Sequence, residues 1–174
     1  MSAFDLAGVI DIEKYPIHDL DGDVCLEVLK NCRAQLQNDG SCVIPGFIRK
    51  DLIISFCAEV SDLPDAFVRN EPLIAFNNRM HGRSPPPGCP DNHPYKKLWP
   101  QKVNAVANDL IPRSSMLKQV YESSLVKQFL AKIVQLPNLY EYADEFQSLN
   151  VMYMPEGGER AWHYDGRYVC HAQR

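Results

Sequence analysis

The sequence has no apolar run approaching the ~20 residues that span a bilayer. Its start, Met-Ser-Ala-Phe-Asp-Leu-Ala, lacks the basic, apolar and small-residue order of a secretory signal. A soluble cytoplasmic protein is the expectation. Lys and Arg form no basic stripe and the net charge is only −4, which argues against nucleic acid and against an anionic membrane surface as partners. Gly-x-Gly-x-x-Gly and Gly-x-x-x-x-Gly-Lys are both missing, so dinucleotide and P-loop sites lack their markers. No Gly-x-Ser-x-Gly elbow points to a serine hydrolase. There is no Cys-x-x-Cys pair for zinc or redox chemistry, and no repeat, heptad or low-complexity tract.

What is present is ordinary in bulk. The chain has 174 residues, 45% of them hydrophobic and 23% charged, the make-up of one globular domain with a sizeable core. Six cysteines could suggest disulfides, but Cys25, Cys32 and Cys57 fall at apolar positions of predicted helices and Cys42 in a predicted strand. Such cysteines behave as small buried hydrophobes, so buried, reduced thiols are expected.

In chain order, the first twenty residues read as loop, with Tyr15-Pro16-Ile17 extended. Asp21-Gly22-Asp23 offers a helix start, and Val24, Cys25, Val28, Leu29, Cys32 and Leu36 recur at helical spacing until Asn38-Asp39-Gly40. Ser41 to Ile44 reads as a short strand closed by Pro45-Gly46. Leu52, Ile53, Phe56, Cys57 and Val60 mark a second helix, stopped by Pro64. A Pro-rich loop near 77–100 follows, because Pro85-Pro86-Pro87-Gly88-Cys89-Pro90 suits neither helix nor central strand. Arg79, His81, Arg83 and His93 lie around it, and Arg83 and Arg79 are the candidates to pair with a substrate carboxylate. Ser114-Ser115 could cap a last helical stretch carrying Met116, Leu117, Val120, Tyr121, Leu125, Phe129, Leu130, Ile133 and Val134. Residues 1–147 are thus expected to be mainly helical.

The stretch from Ser148 to Asp165 carries the chemistry. Leu149, Val151 and Tyr153 alternate with Asn150, Met152 and Met154 as a strand should, and Pro155-Glu156-Gly157-Gly158 is strong turn chemistry. A second strand then carries His163 and Asp165, two positions apart and so on one face. An imidazole and a carboxylate so placed supply two of the three ligands of a 2-His-1-carboxylate site for non-haem Fe(II). Trp162 and Tyr164 alternate with them and give the other face bulk to bury.

On these motifs the chain resembles the Fe(II)/2-oxoglutarate-dependent oxygenases of the double-stranded β-helix type. Asp39-Gly40-Ser41-Cys42-Val43-Ile44-Pro45-Gly46-Phe47 is similar to their opening segment. Asn150 to Tyr153, the Gly-rich turn and Trp162-His163-Tyr164-Asp165 are similar to the start of their core. The resemblance covers most of the chain and is closest to the branch of amino-acid hydroxylases and radical halogenases. Asp165 stands where the halogenases carry a small residue, so hydroxylation is implied.

The resemblance implies an α+β fold: N-terminal helices followed, over 148–169, by the first strands of a jelly-roll core. It implies Fe(II) held by His163, Asp165 and a second histidine, 2-oxoglutarate as co-substrate, and a small-molecule substrate, a free amino acid being one such. The distal histidine and the Arg or Lys that holds 2-oxoglutarate lie on later strands in that family, and only Gly166 to Arg174 follow here. On a straight strand His171 would stand about 26 Å from His163, too far to share a metal. Zinc on His163, Asp165, Cys170 and His171 meets the same obstacle. The expectation is therefore a truncated oxygenase core, cut by a retained intron or an early-ending gene model. Its bare strand edges favour self-association, and a catalytically inactive, binding-only protein is the alternative to a dioxygenase.

Overall fold

The computed structural model describes residues 5–63, 67–70, 73–74, 87–93, 98–99, 102–146, 148–154 and 156–158. The fold is α+β. The chain, read from sequence as one domain, divides into two compact units: Met1–Leu63 with Asp109–Leu149, and Pro64–Asn108 with Asn150–Arg174.

The first unit is helical. Helix α1, Asp23–Asp39, buries Cys25, Leu29 and Cys32 along one stripe, the spacing that aligns side chains over successive turns. Val24 belongs to the expected apolar face yet is 59% exposed, because the stripe centres on Cys25 and Leu29. Gly22 precedes the helix as its N-cap at φ −71° and ψ 147°, with no side chain to cap it. Gly40 ends it in the left-handed region at φ +69°, its N–H on Leu36 O, the usual role of glycine past a helix end.

The segment Ser41 to Ile44 is not a strand. The Val43 N–H is spent on Gln35 Oε1 at 3.2 Å, which removes it from any ladder. Backbone pairing falls instead on neighbouring residues: Ile10 bridges Ile48, Asp11 N–H donates to Phe47 O at 3.1 Å, and Arg49 N–H donates to Val9 O at 3.0 Å.

Helix α2, Ile53–Ser61, follows a 3₁₀ turn at Lys50–Leu52 and ends short of Pro64. It turns Phe56 and Val60 partly inward, as the turn does Leu52, and leaves Ile53 and Cys57 exposed, so Ile53 and the expected buried thiol Cys57 are corrected. The tight turn resets the helical phase. Helices α3, Met116–Glu122, and α4, Ser124–Ile133, replace the single stretch expected from periodicity. Ser123 breaks it, adopting ψ 122° and accepting from Val126 N–H to cap α4. Leu130 and Val134, expected on the apolar face, are partly exposed, at 37% and 44%, because the new start aligns Val126, Phe129 and Ile133 inward.

The core of this unit gathers Ile10, Tyr15, Ile17, Cys25, Leu29, Cys32, Val126, Phe129 and Ile133. Phe47 stacks on Phe129 with centroids 5.7 Å apart and planes 7° from parallel. The loop-like N-terminus thus supplies core: Tyr15 and Ile17 are buried, and Tyr15 Oη donates to Pro45 O at 2.7 Å. Arg33 Nε and Nη2 both donate to Lys132 O, at 3.1 and 2.7 Å, tying α1 to a carbonyl in the last turn of α4.

The second unit is built of strands. Strands β1, Phe67–Asn70, and β4, Lys102–Val106, pair antiparallel, and so do β2, Leu73–Ile74, and β3, Leu98–Trp99. Phe67 opposes Ala105 and Leu73 opposes Trp99, so both pairs keep one register. β5, Val151–Tyr153, pairs with β4 on the side away from β1, giving the order β1-β4-β5. These ribbon strands take Leu98–Trp99 from the loop expected near 77–100, while the described residues 87–93 are neither helix nor strand.

Candidate metal centre

In the chain, β5 precedes the His163-Tyr164-Asp165 motif. Val151, Met152 and Tyr153 face Val106, Ala105 and Asn104 across the ladder. Val106 is 2% exposed, so the β4 end of this pair is anchored in packed surroundings. Tyr153, expected to alternate inward with Val151, is exposed at 44%. After Met154 the chain turns at Glu156–Gly157, with Gly157 at φ +69°. Only glycine adopts that conformation without strain, which is why the sequence places it there. The strand and the turn expected from sequence are both present.

His163 and Asp165 lie outside the described residues, as do Cys170, His171, Arg79, Arg83 and His81. Of the residues around the Pro-rich run, His93 is described. It is exposed, and its backbone N–H donates to Pro90 O at 3.0 Å, just beyond a turn at Pro87–Gly88. Among the described residues, no group of three or more His, Cys, Asp or Glu could hold a metal ion, and no helix is long and apolar enough to cross a membrane.

Elsewhere in the helical unit an open depression of about 780 Å³ is lined by Asp11, Glu13, Lys14, Arg49, Lys50 and Asp51, among others. Its charges are mixed and partly committed. Lys14 Nζ donates to Pro45 O at 2.8 Å and Arg49 pairs with Asp51 at 3.4 Å, so the depression offers no net charge to select a ligand.

Three arrangements escaped the sequence reading. Glu59 of α2 accepts from both Ser115 Oγ and Met116 N–H at the start of α3. Lys118 is 7% exposed, and its Nζ donates to Ile111 O at 3.2 Å. Cys42 neighbours Cys32 and adds to the burial that pushes the Cys32 thiol up. The signal for the last was the run of cysteines at Cys25, Cys32 and Cys42 around a helix end. The Glu59 pairing joins distant segments, and the Lys118 bond spans seven residues to a backbone carbonyl; neither left a mark in the sequence pattern.

The chain matches no protein-family model, no curated protein and no solved structure.

Proposed function

We propose that the protein is an Fe(II)/2-oxoglutarate-dependent dioxygenase-like protein that hydroxylates a small molecule, a free amino acid being one such. The observation that carries this reading is the succession of β5, the Gly157 turn and Trp162-His163-Tyr164-Asp165. A strand of a sheet followed by a glycine turn is the setting in which a His-x-Asp pair is held firmly rather than displayed on a loose loop. The antiparallel order β1-β4-β5 supports the finer fold reading, a double-stranded β-helix core.

In this reading His163 and Asp165 hold the metal through a neutral imidazole nitrogen and a carboxylate oxygen, both suitable donors for Fe(II). A second histidine would complete the set. Bound iron with 2-oxoglutarate supplies the oxygen activation that hydroxylates an unactivated C–H bond. The chain's own share is to orient the substrate and exclude side reactions. Arg83 or Arg79 would fix a substrate carboxylate through a bidentate pair.

The test is an anaerobic titration of the protein with Fe(II) and 2-oxoglutarate, followed by succinate measurement after oxygen is admitted. The weak visible charge-transfer band of the chelate, and succinate above a metal-only blank, are expected. No band, with succinate at blank level, would sink the reading and leave a binding-only protein.

A further inference from the structure

The end of α1 brings two cysteines together. Gly40 reverses the chain at φ +69°, and the Val43 N–H on Gln35 Oε1 fixes the returning segment against the helix. Gln35 stands one helical turn beyond Cys32, so Cys42 is carried back over the turn that bears Cys32. Cys42 is close enough to Cys32 to help push its thiol up. Cys32 belongs to the apolar cluster around Phe129, and Cys42 packs against that cluster. Their exposure differs, with Cys32 buried at 4% and Cys42 partly exposed. Cys25, also on the buried stripe of α1, is no rival partner for Cys32. Seven residues along a helix put the two about 10 Å apart, beyond the reach of a disulfide.

We propose that Cys32 and Cys42 form a dithiol–disulfide pair, closed by hydroperoxides and reopened by thiol reductants, that clips the segment after Gly40 onto α1. The partly exposed Cys42 meets the oxidant first. Its thiolate sulfur attacks the peroxide, an S–O bond forms, and the O–O bond breaks. The departing oxygen leaves as hydroxide and takes up the proton that Cys42 released. Cys32 sulfur then attacks Cys42 sulfur, the S–S bond forms, and the S–O bond breaks. The hydroxyl leaves with the Cys32 proton as water. Two thiols have lost two electrons and two protons, and hydrogen peroxide has become two waters.

Burial, reinforced by the neighbouring Cys42, pushes the Cys32 thiol up to about 12. It is therefore the resolving sulfur and not the one that opens the reaction. The clipped segment matters to the core. It carries Pro45, whose carbonyl accepts from Tyr15 and Lys14, and it leads into Phe47 on Phe129. The inference is independent of the oxygenase reading.

The test uses the full reduced chain, exposed to hydrogen peroxide and then blocked with an alkylating agent. Tryptic cleavage after Lys30, Arg33 and Arg49 leaves Cys32 and Cys42 on separate peptides. A disulfide-linked pair of these peptides, lost on adding dithiothreitol, is expected, together with a higher thermal midpoint in the oxidised protein. In Cys32→Ala the sulfenic acid at Cys42 has no resolving partner, so its dimedone adduct rises several-fold over the wild type. The exposed Cys57 serves as an internal gauge of dose. If Cys32 and Cys42 stay alkylatable when Cys57 is fully oxidised, or if Cys42 is found linked to another cysteine, the proposal falls. A linked pair that lowers the thermal midpoint overturns the clip.

Discussion

Phe129 in the helical unit is fully buried and stacks on Phe47, while in the strand unit Val106 is buried. Met152, Tyr153 and Met154 of the strand unit are 51%, 44% and 59% exposed. The helical unit gathers a contiguous apolar cluster, and the strand unit is described chiefly by its backbone ladders, β1 with β4, β2 with β3 and β4 with β5. The chemistry-bearing motif follows the second kind of structure. In the oxygenase reading such a site would take its precision from register and turn geometry, because a slip of one residue turns a strand's side chains to the opposite face.

The largest expected effect breaks the comparison at its stronger side. Phe129→Ala removes a fully buried ring and should cost about 3–5 kcal/mol, read as a fall in the denaturant midpoint. Hydrogen exchange then sharpens the point. If the amides of β4 and β5 keep their protection while those of α1 and α4 lose theirs, the two units are energetically separable. Simultaneous loss would show that one cooperative transition covers both.

A second test acts on the weaker side. His163→Ala should lower Fe(II) affinity by more than the roughly 10–100-fold that loss of an outer-shell partner costs, with little change in thermal midpoint. Unchanged affinity by anaerobic titration would remove His163 from any iron site. A large fall in midpoint would instead make it a packing residue.

A third effect is specific to the helical unit and depends on pH. The Cys32 thiol is raised from the ordinary 9.0 to about 12, chiefly by burial, with Cys42 adding to it. Burial also raises Cys25, helped by the negative charges of Asp19 and Asp21. A raised thiol stays protonated in the folded chain after its unfolded counterpart has ionised. The stability it contributes is complete below about 9 and is lost as pH rises toward 12. Wild type minus Cys32→Ala should therefore slope downward through that window by on the order of 1 kcal/mol per pH unit. A flat difference would mean that the site takes up water on ionisation.

The same contrast explains what could be read from sequence. The helices of the first unit announce themselves through period and caps: Cys25, Leu29 and Cys32 lie on one stripe, Gly40 ends α1, and Ser115 starts α3. The ribbon did not, since Pro72 and Pro100 interrupt the runs that become β1 to β4, and proline argues against strand wherever ladder position is unknown. Ser41 to Ile44 failed in the other direction. It has strand composition, but a Gln35 side chain took the Val43 N–H, a contact that no local pattern encodes. Of the candidate site, the strand and the Gly157 turn were legible because both are local. The full ligand set was not, because it depends on which later segment returns to His163 and Asp165.

The smallest effect concerns how the helical unit tolerates a strained residue. Gln135 is in the left-handed region at φ +58°, where the two bonds of a Schellman end are made: Leu136 N–H to Ala131 O at 3.0 Å and Gln135 N–H to Lys132 O at 3.4 Å. A residue with a Cβ pays roughly 1–2 kcal/mol there. Glycine would remove that strain but would also free the unfolded chain, so Gln135→Gly should stabilise by less than about 1 kcal/mol. A small rise in the urea midpoint at constant slope is the expected reading. A fall would mean that the Gln135 side chain stabilises the turn by more than its backbone costs. The end of α4 would then be held by side-chain contacts, as the core is, and not by backbone geometry.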